Sequence, residues 1–140
     1  YNDIVISKIV DFYKNKDAVI IYISDHSEGM FAPGINNNWG RSSFAEIDYA
    51  NAYENFQIPM WIYTTDTYIT KHKKTFEAIR KASSLPYMTD LLPYVVMHLG
   101  GVRYDGYDDR KDILSPHYNS KRKRELRKEV YYNKLIESQR

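Results

Sequence analysis

Apolar and polar positions along the chain change period several times, and each change marks an element. From Asp3 to Tyr13 the apolar residues Val5, Ile9, Phe12 and Tyr13 share one helical face. Lys14-Asn15-Lys16-Asp17 forms a polar turn. Ala18-Val19-Ile20-Ile21-Tyr22-Ile23 is a continuous apolar run rich in β-branched residues, the pattern of a strand buried on both faces in a parallel sheet. The polar cluster Ser24-Asp25-His26-Ser27-Glu28-Gly29 follows at once. Open α/β sheets bind ligands at the carboxyl ends of such strands.

From Ser27 the chain enters a long loop containing Pro33, Gly34 and Gly40. Its second half reads as a helix, with Ser43 and Glu46 at capping-box spacing ahead of Ile47, Ala50 and Tyr53. Ile58-Pro59-Met60-Trp61-Ile62-Tyr63 reads as a second strand, with Pro59 at an edge or a first ladder position. Asp66 caps a predicted helix from Thr67 to about Ala82, with Ile69, His72, Phe76 and Ile79 in one stripe. Thr89 or Asp90 caps another, through Leu91, Leu92, Val95, Val96 and Leu99, which tolerates Pro93 in its first turn and ends at Gly100-Gly101. The stretch 102–119 is polar, tyrosine-rich and irregular, and the last twenty residues read as helical or loosely attached. This order predicts an α/β layered fold with helices packed on a mainly parallel sheet. Two strands are too few for an independent sheet, so the chain reads as one part of a larger domain.

Composition narrows the classes. The 140 residues are 43% apolar, with fourteen tyrosines and a net charge of +2, which suits a folded piece and argues against a protein built chiefly to grip nucleic acid. Without cysteine there are no disulfides or thiolate metal sites. No stretch approaches the roughly 20 apolar residues of a membrane span, and no signal peptide is visible. The chain opens on Tyr1 rather than methionine and reads as a fragment of a longer protein.

The phrase Val19-Ile20-Ile21-Tyr22-Ile23-Ser24-Asp25-His26 resembles the strand and metal-binding turn of bacterial phosphoethanolamine transferases, within the sulfatase and alkaline phosphatase superfamily. Four further segments resemble that family in the same order. Asn2 to Ile9 resembles its preceding helix, and Ile58 to Tyr63 its "V-P-F-W-I-W" strand. Met88 to Gly101 resembles its "M-T-D-D-L-P-H-L-L-L-D-L-A-G-I" helix, and Tyr118-Asn119 with Lys121-Arg122 its closing stretch.

The resemblance implies that residues 1–140 are a C-terminal fragment of a sulfatase-like catalytic domain, with 113–140 a basic polar tail. The parent would be an inner-membrane protein with its catalytic domain in the periplasm. It would move phosphoethanolamine from phosphatidylethanolamine to lipid A or another envelope glycan, using a threonine nucleophile. Asp25 and His26 match two of the family's zinc ligands; the nucleophile and the remaining carboxylate ligand would come from upstream. Carboxylate and neutral imidazole suit zinc, which lowers a nucleophile's pKa and stabilises charge on phosphoryl oxygens. Some positions depart from the pattern. Ser27 stands where the family has glycine, and the region Asn36 to Ser43 lacks the family's histidine, leaving Arg41 as a residue that could serve an anion there.

Plainer readings stand beside these. An Asp-His pair after a strand is ordinarily a solvated turn, and Glu28 a surface acid. His72 and His98 read as helix positions, His117 as a loop residue, and Thr64 and Thr65 as capping residues. Six basic residues against Glu125 between Lys121 and Lys128 read as a solvated helix face, with a nucleic-acid or anionic-lipid patch as the functional reading. A sulfatase holding calcium at the same turn is the rival within the superfamily. A non-catalytic module binding nucleic acid or an anionic polymer is the rival outside it. An unpaired sheet edge would let the fragment self-associate.

Overall fold

The structure is a computed structural model that describes residues 1–27, 49–127 and 129–137. Helix α1 covers Asn2–Tyr13, strand β1 Val19–Ile23, helix α2 Tyr49–Phe56 and strand β2 Met60–Thr64. Helices α3 (Asp66–Lys71), α4 (Lys73–Ala82) and α5 (Leu92–Leu99) follow, then strands β3 (Glu125–Arg127) and β4 (Val130–Tyr131) and helix α6 (Tyr132–Glu137). The mixed α/β class agrees with the pattern of the sequence.

β1 and β2 are hydrogen-bonded neighbours. Ser24 N–H donates to the Pro59 carbonyl and Thr65 N–H to the Ala18 carbonyl, each at 3.2 Å. The end of each strand thus meets the start of the other, so this pair runs antiparallel. Pro59 sits just ahead of β2, where its missing N–H breaks no ladder bond. All five β1 positions are half-buried rather than fully covered on both faces.

The described residues divide into two compact units, Tyr1–Ile21 with Ile62–Arg122, and Tyr22–Trp61 with Lys123–Arg140. In the first, Ile79 and Ala82 of α4, Val95 of α5, and Ile113 and Leu114 form the core, with Ile21, Ile62, Leu85, Tyr87 and Tyr118 packed against it. The predicted stripe on α4 therefore does bury Ile79. Ile113 and Leu114 lie at the head of the segment read as a polar tail, and both are buried. The apolar stripe of α1 forms as expected but stays exposed, from 39% at Tyr13 to 64% at Phe12. Lys16 covers part of it, with its Nζ 3.7 Å from the Phe12 ring centroid.

The helix expected from Thr67 to Ala82 is two helices. His72 leaves the helical region, with φ −121° and ψ 45°, while its N–H still donates to the Tyr68 carbonyl. Thr65, not Asp66, caps α3: its Oγ accepts from Tyr68 N–H at 3.2 Å. The helix expected around Leu91 opens with a tight turn over Thr89–Leu91 and continues as α5.

In the second unit, Tyr22 and Trp61 stack with ring centroids 5.1 Å apart. Ala52, Asn55 and Tyr132 are buried, and Gln57 Nε2 donates to the Tyr132 hydroxyl at 2.5 Å. The chain end, expected to be helical or loose, instead forms an antiparallel β3–β4 pair ahead of α6. The capping-box residues Ser43 and Glu46 lie outside the described residues.

Candidate functional site

β1 delivers the chain into the turn Ser24–Ser27, which side chains of the second unit hold in shape. Ser24 Oγ donates to the His26 carbonyl at 2.6 Å, and His26 N–H donates to Asp25 Oδ1 at 3.0 Å. Ser27 Oγ donates to the Glu54 carbonyl on α2. The serine at the family's glycine position therefore fastens the turn to a helix.

Asp25 is 87% exposed at its side chain and His26 36%. His26 Nδ1 lies 3.2 Å from the Ser27 carbonyl. A carbonyl only accepts, so in the neutral ring Nδ1 carries the proton and the lone pair is at Nε2, the state in which histidine ligates metals. Nε2 lies 3.6 Å from Asp25 Oδ2. That is too long for a hydrogen bond. It is close to the separation of about 3.3 Å between two ligands of a tetrahedral zinc with bonds of about 2.0–2.2 Å. One carboxylate oxygen and one imidazole nitrogen thus fit a shared divalent cation. Among the described residues no group of three or more His, Cys, Asp or Glu gathers, so the turn offers two ligands of the three or four that a zinc site needs.

Arg41 and Glu28 lie outside the described residues. The remaining histidines belong to the first unit, each in its own contacts. His72 Nε2 lies 3.2 Å from Asp17 Oδ1 at the break between α3 and α4. His117 N–H donates to Ser115 Oγ at 3.1 Å. Thr65 is fully buried and does cap, as read from the sequence.

His98 does more than occupy a helix position. Its Nδ1 meets Oδ2 of Asp112 at 2.5 Å, and Asp112 has no exposed surface. The Tyr107 hydroxyl donates to the same oxygen at 2.8 Å, and Leu114 N–H donates to Oδ1 at 2.9 Å. Burial pushes the Tyr107 phenol above its usual range, and the bond to Asp112 adds to that shift. This carboxylate holds the irregular segment after α5 against the helix. Its only signal in the sequence is the apolar pair Ile113-Leu114 next to Asp112 in a polar stretch.

The fold is shared with a domain of known crystal structure. The chain matches the crystal structure of the C-terminal periplasmic domain of EcEptC from Escherichia coli with a TM-score of 0.69 and 22% identity, over 100% of this chain and 39% of that one. In sequence it is similar to phosphoethanolamine transferase EptC of Escherichia coli strain K12, at 25% identity over 122 residues, 84% of this chain and 19% of the relative. EptC of Escherichia coli O18:K1:H7, strain RS218, matches to the same extent. The chain spans about a fifth of the length of these curated relatives. No family model matches. The five segments compared above thus point to the same proteins as the similarity in sequence, and the fold is shared with the same domain. Among the described residues no helix is long and apolar enough to cross a membrane.

Proposed function

We propose that this chain is part of the catalytic domain of a metal-dependent phosphoethanolamine transferase of the bacterial envelope. The parent protein would sit in the inner membrane with this domain in the periplasm. Its donor would be phosphatidylethanolamine and its acceptor lipid A or another envelope glycan. Similarity to EptC supports the transferase class. The observation that carries the metal reading is the separation of 3.6 Å between Asp25 Oδ2 and His26 Nε2, at the carboxyl end of β1.

In this reading Asp25 and His26 hold a zinc ion. When bound, such an ion lowers the pKa of an attacking oxygen and stabilises charge on phosphoryl oxygens. The chain's own residues prepare the ligands. Ser27 fixes the His26 tautomer through its carbonyl and fastens the turn to α2 through its hydroxyl. Asp25 Oδ1 accepts the His26 N–H, which orients Oδ2 towards the imidazole. A threonine nucleophile and a further acidic ligand are expected from polypeptide outside this chain. Arg41 is proposed, from the sequence alone, as a contact for an anionic group of the substrate.

The test uses the complete encoded protein. Asp25→Ala and His26→Ala should each lower phosphoethanolamine transfer to lipid A at least about a hundredfold, with a matching loss of bound zinc. Transfer at the unmodified rate by either variant would remove the metal reading. Hydrolysis of sulfate esters with calcium bound would replace the transferase by a sulfatase.

A further inference from the structure

The second unit ends in a basic and aromatic surface that the transferase chemistry does not use. Between residues 123 and 134 the sequence carries five basic residues against two acids, Glu125 and Glu129. One of these acids, though exposed, is engaged by the backbone. Glu125 Oε1 accepts from Glu129 N–H at 3.3 Å, closing the β3–β4 turn where Glu129 has φ 65°.

Two lysines converge on one ring in this unit. Lys123 Nζ lies 5.3 Å from the Tyr131 ring centroid, and Lys134 Nζ lies 5.5 Å from it. Both lysines are exposed and Tyr131 is half-buried. None of the ion pairs among the described residues involves either lysine. Arg124 makes a contrast. Its Nε donates to Asn133 Oδ1 at 3.3 Å, and its guanidinium lies 5.1 Å from the Tyr132 ring centroid. Each lysine is drawn to the same phenol ring, an attraction of about 0.5–1 kcal/mol at an exposed site.

We infer that the β3–β4–α6 surface docks on an anionic lipid bilayer, with Lys123 and Lys134 on lipid phosphates and the Tyr131 ring at headgroup depth. A half-buried tyrosine flanked by exposed lysines suits that interface, where the ring's apolar body and polar tip face different media. This inference stands whether or not the transferase reading does.

The experiment is vesicle co-sedimentation of the 140-residue chain, using phosphatidylcholine alone or mixed with phosphatidylglycerol. Binding is expected only to the vesicles with the anionic lipid. Each lysine near such a surface contributes about 1 kcal/mol, so Lys123→Gln/Lys134→Gln should weaken partitioning about thirtyfold. Lys73→Gln/Lys81→Gln on α4 removes the same charge elsewhere and should change it less than about twofold. Matching thermal melts establish that all three proteins are folded. The inference is overturned if the two double variants behave alike, if neutral vesicles bind equally, or if an oligonucleotide binds more tightly than the anionic vesicles.

Discussion

The imidazole Nδ1 of His98 lies 2.5 Å from Oδ2 of Asp112, a carboxylate with no exposed surface. With the Tyr107 hydroxyl and Leu114 N–H, it gives a buried charge three partners. Removing the charge orphans those partners, and removing His98 strands the charge. Asp112→Ala and His98→Ala should therefore each cost about 3–5 kcal/mol in urea denaturation. The double variant should cost much less than the sum. Additive losses would mean that the two residues do not act as a pair.

Thr65 concentrates several bonds in one hydroxyl. It donates to the Lys16 carbonyl at 2.6 Å and lies within reach of Ala18 N–H at 3.3 Å and Tyr68 N–H at 3.2 Å. Valine has nearly the same shape and none of these bonds. Thr65→Val should lose about 2 kcal/mol, by cap loss and unsatisfied backbone groups, whereas Thr65→Ser should stay within about 1 kcal/mol of the parent. Equal melting temperatures for the valine and serine proteins would show that the hydroxyl is idle.

Much of this architecture is legible in the chain, because long elements carry a strong period. β1 is a five-residue apolar run and α1 a clear stripe, and both form where the pattern puts them. The turn with Asp25 and His26 follows β1 directly, so the candidate ligands could be located without coordinates. The break at His72 could not. The apolar stripe runs through it, and only tertiary contacts from Asp17 to Lys71 and His72 mark the place. β3 and β4 are too short and too charged for an alternating pattern to appear. Asp112 was hidden because a buried acid in a polar segment has no periodicity of its own. The antiparallel β1–β2 pairing depends on where the chain re-enters beside Ser24, which composition does not encode.

Tyr87 and Tyr118 offer a matched comparison. Tyr118 donates its hydroxyl to the Pro86 carbonyl at 2.7 Å. The buried Tyr87 hydroxyl has no hydrogen-bond partner among the described residues. Tyr118→Phe should cost about 1 kcal/mol, while Tyr87→Phe should be neutral within about 0.5 kcal/mol or stabilising. A large loss for Tyr87→Phe would reveal a partner for that hydroxyl.

Buried phenols also set the response to alkali. Burial pushes Tyr87 upward first, helped by the charges of Tyr118 and Asp90, and burial with the Asp112 bond does the same for Tyr107. A folded pKa above the unfolded value stabilises fully below the ordinary phenol range near about 10 and fades as pH rises towards the folded value. Stability should therefore fall between about pH 9 and pH 12, and Tyr107→Phe should flatten that fall. An unchanged slope in the variant, followed by urea midpoints, would take Tyr107 out of the account.

Metal binding by the turn should be weak in the 140-residue chain and tight in the complete protein. Asp25 and His26 present two donors, and no third His, Cys, Asp or Glu joins them among the described residues. A zinc ion held by two protein ligands keeps most of its shell as water, so calorimetric titration should give at most a weak, readily reversed signal. Acidification should weaken even that, because both ligands must be deprotonated to bind. His26→Ala should abolish it, since the imidazole is the softer and less hydrated of the two donors. Submicromolar binding by the 140-residue chain that survives His26→Ala would show that some other set of residues holds the ion.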